Sequence, residues 1–227
     1  MNRRHYLRST AVATVGSIAG CLETLSGTEN GRTVLESPER DLSEASHPSY
    51  EEELPAITLP DPIGGEKIST EQFEDERPVL LTFFYTNCPD GVCPALLLRL
   101  RRAQEVAAAE GYSDDAAFLA MTFDPERDTE DVLRTYAGDH GVDLEAGNWH
   151  FLRPERYDDG KEILTEAFGL PLEKREAEDY ENLEYIFPHF AYIFLANERG
   201  IVERVYPNGA SVEVSRVVDD FETVVTA

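Results

Sequence analysis

The chain has 227 residues, of which 41% are hydrophobic and 10% aromatic, so it can bury a sizeable core without a disulfide framework or a structural metal. Its 45 Asp and Glu residues outnumber its 20 Lys and Arg residues and give a formal charge of −25. Such a charge repels the phosphates of nucleic acids and anionic lipid head groups, so the composition argues against a nucleic-acid partner and favours a globular domain.

The acidic residues are spread through the chain, whereas lysine occurs at only three positions. A dispersed carboxylate excess with little lysine is typical of proteins from salt-loving organisms, because molar salt shortens the Debye length to about 3 Å and screens the self-repulsion. We therefore expect a halophilic protein. An ordinary acidic surface is the alternative.

The first twenty residues have the order of a secretory signal. Residues 1–8 are basic and include the pair Arg3 and Arg4, and residues 9–20 are small and apolar. The apolar stretch is too short to span a bilayer core of about 30 Å, and paired arginines are typical of the Tat export route. Residues 1–20 are therefore predicted to be an export signal that is removed.

The sequence Ile-Ala-Gly-Cys that ends at Cys21 resembles a lipobox, the motif at which lipoproteins are cleaved before a lipidated cysteine. We therefore predict a Tat-type lipoprotein signal, a lipid anchor on Cys21, and a location on the outer face of the cell membrane. Cleavage without lipidation and an uncleaved anchor are the alternatives.

Residues 21–53 are polar and follow neither the helical nor the alternating strand period, which predicts a disordered tether. Residues 54–227 then carry the signals of one folded domain. Apolar runs, helical spacing and turn residues predict the following elements in order: a hairpin near 57–68, a strand 78–85, a helix 95–110, a strand 116–123, a helix 129–136, a strand 149–152, a helix 157–168, an acidic loop 171–187, a strand pair 190–195 and 201–206, and a helix 212–225.

This order is typical of a thioredoxin-like α/β fold. The continuous apolar run 78–85 predicts a central strand that is buried on both faces. We therefore expect a three-layer sandwich in which helices flank a central mixed β-sheet, preceded by an N-terminal β-hairpin.

Two cysteines, Cys88 and Cys93, lie between this strand and the next helix, with the residues Pro-Asp-Gly-Val between them. Backbone N–H groups at a helix N-terminus favour negative charge, which predicts a lowered thiol pKa, with Cys93 as the N-cap and Pro94 as the first helical residue. Two neighbouring thiolates can close to a disulfide or bind a soft cation. Cu(I) accepts two sulfurs and one imidazole, so a third ligand from elsewhere is needed.

Three histidines lie within the predicted domain. His140 is at a helix end, where a solvated capping role is expected, and His150 is in a short strand beside a tryptophan. His189 follows a proline at the start of the late strand pair. Position alone favours a structural role for each of them.

Three separated motifs are similar to those of the SCO/SenC family of copper proteins, which assist cytochrome c oxidase assembly. They are Thr-Asn-Cys-Pro-Asp at 86–90 with Cys-Pro at 93–94, Asp-Pro-Glu-Arg-Asp-Thr at 124–129, and His189 ahead of Tyr-Ile-Phe-Leu at 192–195. The resemblance runs from about residue 54 to the C-terminus. It implies a thioredoxin-like domain that is tethered at a membrane.

The resemblance also implies a site and a role. Cys88, Cys93 and His189 would bind copper, and Asp124 would orient the site from outside the ligand set. A turn-forming or helix-capping role for Asp124 and Asp128 is expected at least equally. The implied function is delivery of copper to the copper A centre of a cytochrome c oxidase subunit, so the protein would be a metallochaperone and not a turnover enzyme.

The spacing of the cysteines departs from the family pattern, because four residues separate them here instead of three. Gly91 can adopt a positive φ and let the extra residue bulge while the sulfurs converge. Otherwise a thiol–disulfide oxidoreductase that keeps the oxidase's copper-ligand cysteines reduced is favoured, or a peroxide-reducing relative; both need the cysteines but not His189. A copper or redox sensor and a structural lipoprotein with an inert disulfide are further alternatives.

The charge excess predicts a dependence on salt. We expect the midpoint of thermal unfolding to fall steeply when molar NaCl is replaced by dilute buffer, because the carboxylates then repel one another without screening. Circular dichroism melts across a salt series measure the effect. Sucrose, which strengthens burial without screening charge, is the control; equal midpoints in molar NaCl and in dilute buffer would contradict the expectation.

Overall fold

The computed structural model describes residues 32–177, 180, 183–188 and 191–227. The described chain forms one compact unit from Arg32 to Ala227. The predicted signal 1–20, Cys21 and His189 lie outside the described residues.

The unit is an α/β sandwich that is built on a mixed five-stranded sheet with the order β5-β4-β3-β8-β9. Strands β3, β4 and β5 are parallel, and β8 runs antiparallel to both β3 and β9. The elements are β1 (Thr58–Asp61), β2 (Glu66–Ser69), β3 (Val79–Phe84), α1 (Val92–Glu110), β4 (Ala117–Thr122), α2 (Glu130–Asp139), β5 (Trp149–Leu152), α3 (Tyr157–Glu162), β6 (Arg175–Glu176), β7 (Tyr185–Ile186), β8 (Ile193–Ala196), β9 (Val202–Tyr206) and α4 (Val214–Val225).

Helices α1, α2 and α4 cover one face of the sheet. The ring of Phe84 in β3 stacks on Tyr136 of α2 with centroids 5.6 Å apart, and Phe118 in β4 packs on Phe221 of α4 at 5.3 Å. Helix α1 packs against α4 and also contacts β3. Every residue of β3 and β4 is buried, as a central pair of parallel strands between two layers requires.

The opposite face is covered by the N-terminal hairpin and by the chain around α3. The ring of Phe83 packs on Phe168, which follows a π-helical segment, Ile163–Ala167, with centroids 4.9 Å apart. The hairpin is joined to β5 by His150, whose Nδ1 lies 3.1 Å from Oδ2 of the buried Asp61. The sheet therefore lies between two layers, which confirms the predicted sandwich and its N-terminal hairpin.

Most predicted elements are present, with ends shifted by a few residues. The predicted helix 157–168 is an α-helix only to Glu162 and continues as the π-helical segment. The predicted acidic loop 171–187 contains β6 and β7, which pair with each other. Each has two residues with exposed or half-buried side chains, so no apolar run marked them in the sequence.

The structure differs from the expectation of a disordered tether for residues 32–53. The carboxylate of Glu203, which is fully buried in β9, accepts hydrogen bonds from the backbone N–H groups of Val34 at 2.7 Å and Leu35 at 2.9 Å. Farther along, the N–H of Val202 donates to the carbonyl of Glu52 at 2.8 Å. The described part of the segment thus lies along β9 and covers the edge of the sheet, where unpaired backbone groups would otherwise be open to other chains.

In the part of the chain that the structure describes, none of the helices combines the length and the apolar character that a membrane-spanning segment requires.

Replacing Glu203 tests the attachment of this segment. Glu203→Ala removes the acceptor of two backbone N–H groups, one of them buried, and we expect the free energy of unfolding to fall by about 2–3 kcal/mol. Cleavage by protease within residues 32–53 should accelerate as well. Denaturant titration and limited proteolysis measure both effects. Glu198→Ala changes an exposed glutamate in the turn before β9 and is the matched control; equal behaviour of the two variants would contradict this assignment.

Candidate metal and thiol site

The thiol loop, residues 85–93, runs from the carboxyl end of β3 into the first turn of α1. Gly91 is the N-cap of α1 with a φ of 77°, in the left-handed region, so the helix begins at Val92. The expectation that Cys93 is the N-cap and Pro94 the first helical residue is therefore wrong by two positions. A Cβ on Gly91 would meet no atom within 4 Å, so glycine is needed here for its backbone conformation and not for space.

The extra residue between the cysteines does not separate them. The backbone N–H of Cys93 donates to Sγ of Cys88 at 3.3 Å, and the Cys88 thiol donates to Oδ1 of Asp90 at 3.2 Å. The same Asp90 oxygen accepts the N–H of Val92 at 3.3 Å. Both cysteines are present as thiols, Cys88 half-buried and Cys93 only 2% exposed. The positive φ at Gly91 thus accommodates the longer spacer with both cysteines in contact.

The pKa of the Cys93 thiol is not lowered, contrary to the expectation from the sequence. Burial, followed by the hydrogen bond and the charge of Cys88, raises the pKa of the Cys93 thiol well above its ordinary value. The N-terminus of α1 does favour an anion, but the loss of hydration outweighs it at this buried position. A cation bound in place of the thiol proton would neutralise the Cys93 thiolate, whose negative charge is unfavourable when it is buried alone.

A buried carboxylate, Asp128, fixes the start of the thiol loop. It accepts the backbone N–H of Thr86 at 3.2 Å, the hydroxyl of the same threonine, and the hydroxyl of Thr122 at the end of β4. Burial outweighs these three donors and raises the pKa of Asp128 to about 6. Sequence analysis gave Asp128 a capping role only, and the separation of 42 residues hid its contact with the thiol loop.

Asp124 follows β4 and is also fully buried. Its two carboxylate oxygens accept the Tyr185 hydroxyl at 2.8 and 2.9 Å, and Nε of Arg127 lies 3.4 Å from Oδ2. Burial raises the pKa of Asp124 in spite of these partners. The carboxylate of Asp124 is therefore hydrogen-bonded to Tyr185, in the segment of the chain that leads to His189.

The arm, residues 183–188, lies against the thiol loop and ends one residue before His189. Phe187 is buried among aromatic rings, with centroids 5.0 Å from Tyr85 and 5.0 Å from Phe123. Burial, followed by the charges of Cys88 and Cys93, raises the pKa of Tyr85. Sequence analysis missed this packing. The signal was present as two aromatic residues, at 185 and 187, within an acidic stretch.

The two described histidines of the predicted domain, residues 54–227, have structural roles. His140 is the C-cap of α2, and its Nδ1 lies 2.9 Å from the carbonyl oxygen of Tyr136. His150 pairs with Asp61 across the hairpin. Among the described residues, no three side chains from His, Cys, Asp and Glu are grouped to hold a metal ion. His189, the predicted third ligand, lies outside that part of the chain.

The family model described as SCO1/SenC matches residues 63–226, which is most of the chain and includes the thiol loop. The chain belongs to the SCO1/SenC family. A comparison with curated proteins gave no match.

Solved structures of Sco proteins share the fold. BsSco, a member of the Sco family of cytochrome c oxidase assembly proteins described with a disulfide switch, is 20% identical with a TM-score of 0.60, over 79% of this chain and 96% of its own. A SCO1/SenC family lipoprotein from Bacillus anthracis is 19% identical with a TM-score of 0.58, over 76% and 94%. ScoI from Bradyrhizobium japonicum, solved with copper bound, is 20% identical with a TM-score of 0.56, over 74% and 97%. These likenesses confirm the thioredoxin-like fold.

The raised pKa of Asp128 predicts a specific pH dependence of stability. A carboxyl with a pKa of 3.8 in the unfolded chain and about 6 in the folded protein stabilises the fold below pH 4, and this contribution is lost as the pH rises through 6. We expect the unfolding free energy of the wild type, relative to Asp128→Asn, to fall by about 2–2.5 kcal/mol between pH 4 and pH 7.

Denaturant titrations at constant molar salt over this pH range measure the difference. Asp131→Asn, on the exposed first turn of α2, is the control for the general titration of surface carboxylates. A difference between wild type and Asp128→Asn that does not vary with pH would contradict the assignment.

Proposed function

We propose that this protein is a membrane-tethered, extracytoplasmic copper-binding protein that delivers copper to the copper A centre during cytochrome c oxidase assembly. Copper is its cargo, held by the sulfurs of Cys88 and Cys93 and by the imidazole of His189. The observation that carries the proposal is the convergence of Cys88 and Cys93 in the thiol loop of a SCO1/SenC chain, where an N–H of one cysteine donates to the sulfur of the other at 3.3 Å.

The donor chemistry fits copper. Two thiolates form a soft pair that selects Cu(I) over the hard cations, which prefer oxygen ligands. Cys93 is buried and its thiol keeps its proton, so binding must release protons and the affinity falls as the pH is lowered. Cys88 is half-buried and gives access from the surface. The copper bound to the Bradyrhizobium ScoI supports the same cargo here.

The chain on both sides of His189 supports its role as third ligand. Phe187 packs on Tyr85 of the thiol loop, and two residues farther along the chain can extend by at most about 7 Å. On the other side, the carbonyl of Tyr192 accepts the hydroxyl of Thr82 in β3 at 2.8 Å. The first attachment is to the thiol loop, and the second is to β3, the strand that leads into this loop.

The membrane tether and the habitat are parts of the same proposal. The twin arginines and the lipobox that ends at Cys21 predict export and a lipid anchor, and the Bacillus anthracis relative is itself described as a lipoprotein. The acidic surface with few lysines fits a halophilic source. Asp124 acts outside the ligand set, by orienting the chain that surrounds the copper.

A thiol–disulfide oxidoreductase is the second candidate, because the two cysteines are in contact and BsSco is described with a disulfide switch. In this reaction Cys88 and Cys93 close to a disulfide and release two electrons and two protons. A disulfide between the oxidase's copper-ligand cysteines takes them up and becomes two thiols. This function needs both cysteines and does not need His189.

Copper binding by the reduced full-length chain tests the proposal. We expect one Cu(I) per chain with two sulfur neighbours and one nitrogen neighbour by X-ray absorption. Cys88→Ser, Cys93→Ser and His189→Ala should each weaken Cu(I) binding by at least about 100-fold in a competition titration, since loss of a residue that merely supports a ligand already costs about 10–100-fold.

Two controls keep this test specific. Cys21→Ser removes a cysteine outside the domain, and His140→Gln removes a histidine that caps a helix, so neither should change the affinity. Wild-type affinity in Cys88→Ser would refute copper binding at this site. Full disulfide reduction by His189→Ala, together with undiminished copper affinity in this variant, would favour the oxidoreductase instead.

A further inference from the structure

We propose that Tyr185 is a positioning residue, whose hydroxyl latches the arm that leads to His189 onto the thiol half of the site through the buried carboxylate of Asp124. The inference rests on the proposed copper site. It adds Tyr185 as a residue that affects copper binding by positioning the proposed third ligand, His189. The hydrogen bond between Tyr185 and Asp124 is called the latch below.

The latch is a two-point contact in a buried position. The Tyr185 hydroxyl donates to Asp124, whose oxygens lie at 2.8 and 2.9 Å, and the carboxylate itself is 1% exposed. Arg127 closes the contact from outside, with its Nε 3.4 Å from the Tyr185 oxygen and 3.4 Å from Asp124. A hydroxyl that donates to a buried carboxylate is a charge-assisted bond, which is stronger than one between neutral groups.

The acceptor of the latch is itself held rigidly. The backbone N–H of Asp124 donates to the hydroxyl of Thr122 at 3.1 Å, and the Asp124 carbonyl accepts the N–H of Asp128 at 2.9 Å. The side chain of Asp128 in turn accepts the hydroxyls of Thr122 and Thr86. A continuous series of hydrogen bonds therefore runs from Thr86, two residues before Cys88, to Tyr185, four residues before His189.

The ring of Tyr185 has separate contacts, so the hydroxyl can be tested alone. Nζ of Lys174 lies 3.5 Å from the ring centroid, and the ring of Phe187 meets it edge-on at 5.6 Å. These contacts do not involve the hydroxyl. Tyr185→Phe therefore keeps the packing of the arm and removes the donor to Asp124 together with the acceptor of Arg127. Tyr180→Phe removes the hydroxyl of an exposed tyrosine in the same acidic stretch and is the matched control.

The first measurement needs no copper. In the reduced apoprotein, amide hydrogen exchange at residues 185–187 should accelerate at least about tenfold in Tyr185→Phe, because the arm opens locally more often without the latch. Exchange in β3 and β4 should not change. Tyr180→Phe should exchange like the wild type. Exchange at residues 185–187 that is equal in Tyr185→Phe and wild type would overturn the latch.

The second measurement is a double-mutant cycle on Cu(I) affinity. Tyr185→Phe should weaken binding about tenfold in the wild-type background and have no further effect in the His189→Ala background, because its effect passes through that ligand. The reduction potential of the Cys88–Cys93 pair should stay unchanged, since both sulfurs belong to the thiol loop. An equal loss of affinity in both backgrounds would overturn the positioning role and indicate general loosening.

The two proposals fail in different ways. If His189→Ala leaves Cu(I) affinity unchanged, the ligand assignment of the proposed function fails, and the positioning role of Tyr185 toward copper fails with it. If His189→Ala weakens binding and Tyr185→Phe does not, only the inference about Tyr185 fails. A thermal melt of each variant in molar salt verifies that the fold is retained.

Discussion

The hydrogen bonds of Asp128 determine where the thiol loop leaves the sheet. Parallel pairing aligns Phe84 with Thr122, so the residues that follow β3 and β4 emerge at the same edge. Asp128 joins these two exits by accepting from Thr86 on one side and Thr122 on the other. Burial raises its pKa in spite of these donors, so the ionised carboxylate costs free energy at neutral pH and the converging donors only reduce that cost. The thiol loop is bonded to Asp128 through Thr86. The arm is connected to it less directly, through Asp124 and Thr122.

The fold was predictable because its central elements have local signatures. Strand β3 is a continuous apolar run in the sequence and is buried throughout, and β5 occupies the predicted residues, Trp149–Leu152. The order of the strands and helices along the chain then restricted the fold to a few possible topologies. For the site, the spacing around Cys88 and Cys93 placed both thiols on one loop, and glycine at position 91 accounts for how a longer spacer still brings them into contact.

What the sequence could not predict depends on contacts between distant residues. Glu203 bonds to residues 168 and 169 positions away, and nothing local in residues 32–53 indicates that a buried carboxylate will accept their N–H groups. The pKa of Cys93 was predicted from the helix end alone, whereas its burial comes from the packed core. The latch between Tyr185 and Asp124 spans 61 residues and joins segments with no shared pattern. Such effects arise from tertiary packing, which single-sequence periodicity does not encode.

The attachment of residues 32–53 to β9 leaves a shorter length of chain between the domain and Cys21, the residue that is proposed to carry the lipid anchor. Eleven peptide units separate Cys21 from Arg32, and a fully extended chain of that length spans about 40 Å, whereas a chain unattached as far as Glu53 would span about 110 Å. With the proposed lipid anchor and the proposed delivery of copper, an acceptor would have to present its site close to the bilayer surface. Loosening the Glu203 contact would then enlarge the volume that the domain explores and dilute it around that acceptor, because effective concentration falls as a linker lengthens beyond the span it must bridge.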